Sequence, residues 1–366
     1  MSMEVRSINL EDVLKWDAYV RSHPMGNVYH LAGWRNVITK TYGHDSFYLA
    51  AFETAENGSP PKIHGVLPLF RLKSLLFGNQ LVSIPYFDFG GVLADSEEVE
   101  KGLIAAAMQI AGEMHSKCVE LRQMNVLPCL ASGDTTFGTD GKRWTCRDHS
   151  KKVRMLRQLA NSPEELLQSF KSKLRSQIKR PQKAGLTAQV GGEELIEDFY
   201  SVFCVNMRDL GSPVHSRSMM ENVLMEFRTT SRIAVVYLGR KPVACSLFMG
   251  FRNTLYNPWA SSLSEHSNLS PNMLLYWTML EYACRNGYAV FDFGRSSPGS
   301  GTYRFKGQWT AMPLPLHWYC FHPESKQNAE SSSEVSRFGM AVRIWQKLPV
   351  GLSRLAGPHI RKHIPL

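Results

Sequence analysis

The sequence predicts an α/β protein in which mixed central sheets are flanked by helices. Short apolar stretches typical of strands alternate with longer amphipathic segments typical of helices along the whole chain. The chain has 366 residues, 43% hydrophobic and 20% charged, a composition typical of globular proteins with one or two domains. Ser-Pro pairs at Ser162-Pro163 and Ser270-Pro271 mark two helix starts, because serine caps a helix and proline suits its first position.

Residues 1–150 are predicted to form the first domain. Its expected helices cover residues 11–21, 31–41 and 97–116, and its expected strands cover residues 4–8, 46–53, 63–71, 81–85 and 118–124. The two strands at 46–53 and 63–71 flank a Gly/Pro-rich loop, which predicts a hairpin. Residues 127–150 are rich in Gly, Thr and Asp, and we expect an irregular connection there.

Residues 151–323 are predicted to form the second domain. We expect one helix from Pro163 to Arg180, capped by Ser162 and stopped by Pro181. The other expected helices cover residues 192–210, 218–228 and 271–285, and the expected strands cover residues 153–159, 233–238, 243–250, 254–259 and 289–293.

Basic residues are concentrated between Lys151 and Lys183, a segment that contains ten Lys and Arg residues and only two Glu residues. Lys171, Arg175 and Lys179 repeat every four residues, so they form a cationic ridge along the helix. A solvated helix face and a surface for an anionic partner such as RNA, lipid or polymer both remain open.

A candidate site follows the strand that ends at Phe293. Asp292 lies among apolar neighbours, and a buried carboxylate needs a partner because its desolvation costs several kcal/mol. The loop Gly294–Gly301 places flexible backbone N–H groups beside Arg295, whose guanidinium can donate two hydrogen bonds to one anion. Lys306 follows this loop in the sequence. An anion-binding site and a tight β-turn with surface cations are both consistent with these residues.

These motifs resemble the FemAB-like branch of the GNAT acyltransferase superfamily. The resemblance rests on Phe291-Asp-Phe-Gly-Arg-Ser296 with Phe305-Lys306 and Trp309, and extends over most of the chain. Further matching segments are Tyr29-His30-Leu31 with Trp34, Tyr42-Gly43-His44, Asn206–Pro213, Trp259–Ser262 and Pro271–Trp277. The segments Lys347-Leu-Pro349 and Gly357-Pro358 are similar to the sub-branch associated with exopolysaccharide and PEP-CTERM/exosortase systems.

The resemblance implies two GNAT-like domains and direct acyl transfer from an activated donor to an amine. It implies that Lys306 stabilises the oxyanion and that Asp292 orients Arg295 or assists amine deprotonation. The substrate-binding residues that it implies are Arg295, Arg208, Phe305, Tyr303 and Trp259. The acceptor would be a cell-envelope precursor, such as a peptidoglycan precursor, or an exopolysaccharide amino sugar.

The implied co-substrate is an aminoacyl-tRNA, an acyl-CoA or an acyl carrier, with no tightly bound cofactor. The Gln/Arg-x-x-Gly-x-Gly/Ala loop that binds the pyrophosphate of coenzyme A does not precede Pro271, which argues against coenzyme A. A full helical arm for tRNA is also missing from the sequence. The alternative hypothesis is a non-catalytic protein that binds anionic polymer or membrane through the cationic ridge and the basic tail.

Residues 324–366 are predicted to form a polar linker, mobile over 324–336, and a basic amphipathic tail without acids after Glu334. The tail could pack on the first domain or bind peripherally to an anionic membrane, and we favour packing on the first domain. The polar first residues and the lack of a long apolar run predict a cytoplasmic protein without a signal peptide. Seven scattered cysteines and no metal-ligand spacing predict reduced thiols and no metal.

Phe-Asp-Phe-Gly occurs twice, at residues 87–90 and 291–294. The first copy precedes the long helix of its domain and the second follows its own. We therefore interpret the repetition as coincidence, and leave domain duplication to the family resemblance.

Overall fold

The computed structural model describes residues 3–53, 61–74, 78–131, 136–139, 142–148, 151–324 and 332–365. Its strands are β1 Met3–Ser7, β2 Asp45–Glu53, β3 Ile63–Ser74, β4 Gly78–Val82, β5 Leu93–Ala94, β6 Cys118–Gln123, β7 Thr136–Thr139, β8 Lys142–Asp148, β9 Val153–Gln158, β10 Leu186–Gly191, β11 Ser231–Leu238, β12 Lys241–Phe251, β13 Thr254–Ser262, β14 Val290–Ser296, β15 Met312–Pro315 and β16 His317–Pro323. Its α-helices are α1 Val13–Ser22, α2 Gly33–Tyr42, α3 Glu97–Glu113, α4 Pro128–Ala131, α5 Pro163–Ser169, α6 Ser172–Lys183, α7 Ile196–Asp209, α8 Arg217–Glu226, α9 Pro271–Arg285, α10 Gly301–Gln308, α11 Ser332–Gln346 and α12 Val350–Arg361.

The chain divides into two units, each containing a mixed sheet flanked by helices, as the sequence predicts. Unit 1 comprises 1–152, 315–329 and 362–366, and unit 2 comprises 153–314 and 330–361. β16 therefore belongs to the first unit although it follows the main part of the second unit in the sequence. The segment predicted as linker and tail is divided between the two units.

The two sheets share one pairing pattern over their first six strand positions. In unit 1 the strand order is β1-β2-β3-β4-β6-β16-β8-β7, and in unit 2 it is β10-β11-β12-β13-β14-β9-β15. In each, four successive antiparallel strands are followed by a parallel strand reached through a long helix, α3 or α9. An antiparallel strand then covers the outer edge of that parallel strand. This pattern supports the expected pair of GNAT-like folds.

The two cores are formed by the inner faces of the sheets and by their crossover helices. In unit 1, Leu103, Ile104 and Met108 of α3 pack against Leu67 and Leu81 of the sheet. In unit 2, the core joins α9 to the sheet and includes the following fully buried residues: Val243, Leu255, Leu275, Met279, Leu280 and Phe291. These positions recur at helix and strand spacing, which is why the sequence predicts both crossover helices.

The first Phe-Asp-Phe-Gly segment forms a loop that is anchored from within unit 1. Phe87 and Phe89 are buried, and Arg122 donates hydrogen bonds from Nη1 to the carbonyls of Phe87 (2.7 Å) and Ile84 (3.2 Å). Gly90 has a φ of 142°, a conformation that favours glycine. The loop lies between β4 and α3, whereas the second copy lies within β14.

Three local predictions are wrong. Residues 127–150 contain α4, β7 and β8 among the described positions, because β8 pairs with β16, a strand far away in the sequence. The single helix expected from Pro163 breaks at Phe170, which is extended and buried against the rings of Trp277 and Trp309. Pro181 does not stop α6, which includes it and continues to Lys183.

The tail forms helices that pack within unit 2, so the preference for packing on the first domain is wrong for α11 and α12. A side chain at Gly211, next to α7, would clash with Val342 of α11, and one at Gly357 of α12 would lie 2.9 Å from Val214. Residues 362–365 join unit 1, where Arg122 Nη1 donates to Pro365 O at 3.2 Å. The expected mobility over 324–336 falls partly outside the described residues, and from Ser332 onward the chain is helical.

Two buried histidines predict that acid destabilises unit 1. Burial lowers the pKa of His30 to about 3 and that of His44 to about 4, from an ordinary value of 6.5. At pH values between these lowered pKa values and 6.5, the histidines bind more protons in the unfolded chain than in the folded one, so stability falls as the pH falls. We expect unfolding free energy to decrease below about pH 6.5, by up to roughly 1.4 kcal/mol per pH unit for each histidine.

Urea unfolding followed by circular dichroism between about pH 7 and pH 4 measures this loss. His44→Gln should lose less stability than the wild type over this interval, while His359→Gln, at an exposed position of α12, should match the wild type. An equal pH dependence in His44→Gln would contradict the assignment.

Candidate active site at the separation of two parallel strands

The candidate site begins where β13 and β14 separate. The parallel register joins Thr254 to Val290 and Tyr256 to Asp292, and in the described chain it ends there. Each strand continues against its other neighbour, β13 with β12 as far as Ser262 and β14 with β9 as far as Ser296. The two strands thus diverge and leave an opening at their carboxyl ends, the usual location of ligands in such sheets.

A bulge at Gly294 shapes the β14 side of the opening. Gly294 has a φ of 72°, and the register with β9 shifts between Asp292 and Arg295. Its N–H donates to Asp292 Oδ1 at 2.7 Å. Within the loop predicted to bind an anion, the Gly294 N–H is thus bonded to the Asp292 carboxylate.

Asp292 is 2% exposed and has the partner that its burial requires. Arg154 Nε of β9 donates to Asp292 Oδ2 at 2.7 Å, and the Arg154 guanidinium lies 5.5 Å from the centre of the Tyr256 ring. The predicted role of Asp292 in orienting Arg295 has no direct contact in support among the described hydrogen bonds. In this structure, Asp292 orients Arg154 and the Gly294 turn.

Arg295 and Arg154 are direct cross-strand partners, so both side chains project from the same face of the sheet. Leu156 is two residues from Arg154 and is paired with Asp292, which puts the carboxylate on that face as well. Two cations and one anion therefore meet at the end of β14, an arrangement that favours an anionic ligand.

Lys306 lies beside this strand end. It is 7% exposed, and its Nζ donates to the carbonyls of Arg295 at 2.8 Å and Gly294 at 3.2 Å. The side chain comes from α10, a helix capped by Ser300, whose Oγ accepts from the N–H of Tyr303 at 3.2 Å. The sequence pattern predicts a loop over residues 294–301 and does not predict this short helix.

The aromatic residues predicted for the site have different surroundings. Phe305 packs edge-on against Tyr276 with ring centres 5.1 Å apart, and Tyr303 is half-buried in the first turn of α10. Burial raises the pKa of Tyr276 to about 12, against the opposing effect of its hydrogen bond with Asn257. Trp259, on the diverging part of β13, is 7% exposed and packs edge-on against His215.

Arg208 is held by the tail. Its Nε donates to Asp209 at 2.6 Å and its Nη1 donates to the carbonyl of Leu348 at 3.0 Å. Gln346 also donates to the Asp209 carbonyl, at 3.0 Å. The structure therefore brings together Asp292, Arg295 and Lys306, with Phe305 and Tyr303 on the same helix as Lys306, and places Arg208 in a separate set of contacts.

Sequence reasoning missed Arg154 and Asn257. Arg154 belongs to the basic segment and lies in a predicted strand, but the polarity of that strand does not alternate and gives no local signal for its role. Asn257 directly follows Tyr256, where the strands separate, and its Oδ1 accepts from Ser246 at 2.8 Å. Among the described residues, no group of three or more His, Cys, Asp or Glu side chains is arranged to hold a metal ion.

A family model described as an acetyltransferase (GNAT) domain matches residues 168–307, which lie within unit 2 and include both diverging strands. No curated protein matches the chain significantly.

Solved structures that resemble the chain include FemX, with 16% identity and a TM-score of 0.64 over 86% of this chain and 96% of that one. Another is the C-terminal domain of a putative lysylphosphatidylglycerol synthetase from Agrobacterium fabrum, with 12% identity and a TM-score of 0.53 over 92% of this chain and 97% of that one. A third is a tandem GNAT protein from the clavulanic acid biosynthesis pathway, with 11% identity and a TM-score of 0.52 over 88% of this chain and 98% of that one.

At these identities the likeness is one of fold, and it confirms the two-unit GNAT architecture. Residues 168–307 of unit 2 match the GNAT domain model, and the overall fold of the chain is like that of FemX.

Proposed function

We propose that this protein is an N-acyltransferase that moves an acyl or aminoacyl group from an activated donor to an amine. The observation that carries the proposal is the separation of β13 and β14 within the region that matches a GNAT domain. The opening is flanked by Arg295 and by the Lys306 ammonium, so it combines an anion-binding group with a fixed positive charge.

In the proposed reaction the acceptor amine attacks the donor carbonyl, and the carbonyl oxygen becomes an oxyanion in the tetrahedral intermediate. Lys306 stabilises that charge, and its two bonds to backbone carbonyls hold the ammonium in place before the reaction begins. Collapse of the intermediate forms the amide bond, and the thiol or hydroxyl of the donor leaves. The amine loses its proton to solvent or to a group of the substrate.

Arg295 binds an anionic part of the donor or acceptor, and Arg154 supports the same face through Asp292. Phe305, Tyr303 and Trp259 form apolar walls around the reacting groups in this proposal. Arg208 is retained only as an anion ligand that would first have to leave Asp209 and Leu348.

The donor is proposed to carry phosphate groups, as both acyl-CoA and aminoacyl-tRNA do. Arg180 of α6 donates to the carbonyl of Asn268 at 3.1 Å, so the basic helix adjoins the segment that leads into α9. Lys171 at the N-cap of this helix and Lys179 and Lys183 within it are exposed, and no ion pair involves them among the described residues. A GNAT domain favours acyl-CoA, whereas this basic surface favours the longer polyanion.

Reversing charge on α6 tests which donor is used. We expect Lys171→Glu/Lys179→Glu to weaken aminoacyl-tRNA binding and to reduce the dependence of log Kd on log salt by roughly two units, because each lysine contacts about one phosphate. Acetyl-CoA affinity should not change. Filter binding over a range of salt concentrations measures both effects.

The matched control is Arg228→Glu/Arg240→Glu, which reverses two exposed charges elsewhere in unit 2. An equal loss of tRNA affinity in the control would mean that α6 is not the contact surface. Turnover with acetyl-CoA and no binding of tRNA would identify an acyl-CoA enzyme.

The acceptor is proposed to be an amine of a cell-envelope precursor or an exopolysaccharide sugar, because the motifs resemble those of FemAB-like proteins, including the PEP-CTERM-associated sub-branch. We place the reaction in the cytoplasm or at the inner face of the membrane. In the described chain, no helix is long and apolar enough to cross a membrane.

A non-catalytic role is the second candidate, favoured by the exposed bases of α6. In that case steeply salt-dependent binding of an anionic polymer would persist in Lys306→Met, and no donor would be turned over.

A further inference from the structure

Unit 1 contains a cavity that is distinct from the candidate active site. Its volume is about 210 Å³, and it lies among the end of α1, the start of α3 and the end of β6. Met25 and Val126, which are 39% and 50% exposed, mark its rim. All the residues that line it belong to unit 1.

Glu100 supplies the charge of this cavity. Among the described residues that line it, Glu100 is the only Asp, Glu, Lys or Arg. It is 7% exposed and accepts from the backbone N–H of Cys129 at 2.9 Å, and no ion pair involves it in the described chain. The neighbouring Lys101 pairs with Glu97 at 2.8 Å instead.

The groups next to Glu100 do not neutralise it. Burial raises the pKa of the Cys129 thiol, so the thiol stays uncharged. The N-terminal turn of α3 offsets part of the desolvation cost, but it provides no counter-ion. A buried carboxylate in this situation favours a positively charged ligand.

His30 adds a hydrogen-bond acceptor to the cavity wall. It is 3% exposed, and its Nε2 lies 3.2 Å from the carbonyl of Gly91, so Nε2 carries the hydrogen. Nδ1 is then a buried acceptor without a partner in the described chain. Burial lowers the pKa of His30 to about 3, which keeps the ring neutral and Nδ1 able to accept.

The two crossover helices differ in the charge of their first turns. The first turn of α3 contains Glu97, Glu98 and Glu100, whereas the first turn of α9 contains no acid. A phosphate-bearing donor would be repelled at the start of α3. The start of α3 is therefore acidic, whereas the equivalent start of α9 is not.

We propose that the cavity of unit 1 binds a small primary ammonium ligand, whose N–H groups donate to the Glu100 carboxylate and to His30 Nδ1. The apolar part of the ligand contacts Val92 and Met124, which also line the cavity. The proposal rests on this cavity and not on acyl transfer in unit 2, so each can fail without the other.

Isothermal titration of the full chain with n-butylammonium tests the proposal, with n-butanol and butyrate as neutral and anionic probes of similar size. We expect saturable binding of n-butylammonium only. Glu100→Gln, which keeps an acceptor for the Cys129 N–H, should lower its affinity at least about tenfold. Glu97→Gln, on the same helix turn but exposed, should bind like the wild type.

The ligand-free Glu100→Gln protein should melt at the same or a higher temperature than the wild type, because a buried charge without a counter-ion has been removed. If that variant does not fold, Val126→Trp at the exposed rim decides the matter, since it blocks entry and leaves the charge in place. The proposal is overturned by the absence of saturable n-butylammonium binding, by equal binding of n-butanol, or by unchanged affinity in Glu100→Gln or in Val126→Trp.

Discussion

Replacing Lys306 with methionine is expected to lower kcat for N-acyl transfer about 10²–10³-fold, the loss typical for removal of one oxyanion-stabilising group. The Lys306 ammonium is 7% exposed and is held by the carbonyls of Gly294 and Arg295 at the end of β14. Donor affinity should change little, because the charge acts on the tetrahedral intermediate and not on the ground state.

Steady-state turnover and donor titration on the same preparations measure the two quantities, at a temperature well below the melting point of the variant. Arg304→Met is the matched control, since Arg304 is an exposed cation on the same helix. Full turnover combined with a lower melting temperature in Lys306→Met would mean that this lysine only anchors the strand end.

The second large effect concerns the ion pair between Asp292 and Arg154. The two side chains are 3% and 11% exposed and meet at 2.7 Å. Asp292→Asn removes the negative charge and leaves the largely buried Arg154 without its counter-ion. We therefore expect unit 2 to lose about 3–5 kcal/mol of stability. Chemical unfolding followed by tryptophan fluorescence measures the loss.

A double-mutant cycle with Arg154→Met separates the interaction from the individual residues. The double variant should be more stable than the sum of the single effects predicts, because it removes both charges. Additive effects would contradict a coupled pair. Glu265→Gln, in the exposed pair between Lys241 and Glu265, is the control and should have little measurable effect.

The elements that sequence reasoning predicts well are those whose signal is local. α9 runs from Pro271 to Arg285 as expected, because Pro271 marks its first turn and Gly287, with a φ of 74°, follows its end. The hairpin of β2 and β3 is also confirmed, since the two strands pair from Asp45 to Phe52 with one irregularity. The Ser162 cap is confirmed by its hydrogen bond from the N–H of Glu165 at 3.1 Å.

The elements that sequence reasoning misses depend on distant partners. β8 exists because β16 pairs with it, and β16 follows the whole of the second sheet in the sequence. The break at Phe170 places that ring against Trp277 and Trp309, and tertiary packing outweighs the local helix pattern.

The sequence does not predict the partners of the candidate site residues. The sequence indicates that Asp292 needs a partner and the resemblance implies Arg295, whereas the cation in contact is Arg154, placed there by the antiparallel register of β9. The resemblance implies that Arg208 binds an anion, with a structural salt bridge as the alternative, and in the structure Arg208 pairs with Asp209 and with the tail through Leu348. The functional roles of all these side chains stay predictions.

The central claim is that the opening between β13 and β14 binds an activated acyl donor. The most direct test is the melting temperature of the full chain with acetyl-CoA and with charged tRNA. We predict a saturable rise with one of these donors, equivalent to about 2.7 kcal/mol at a concentration one hundred times Kd. The rise should disappear in Arg295→Ala and persist in Arg304→Ala. No rise with either donor, or an equal rise in Arg295→Ala, would contradict the account.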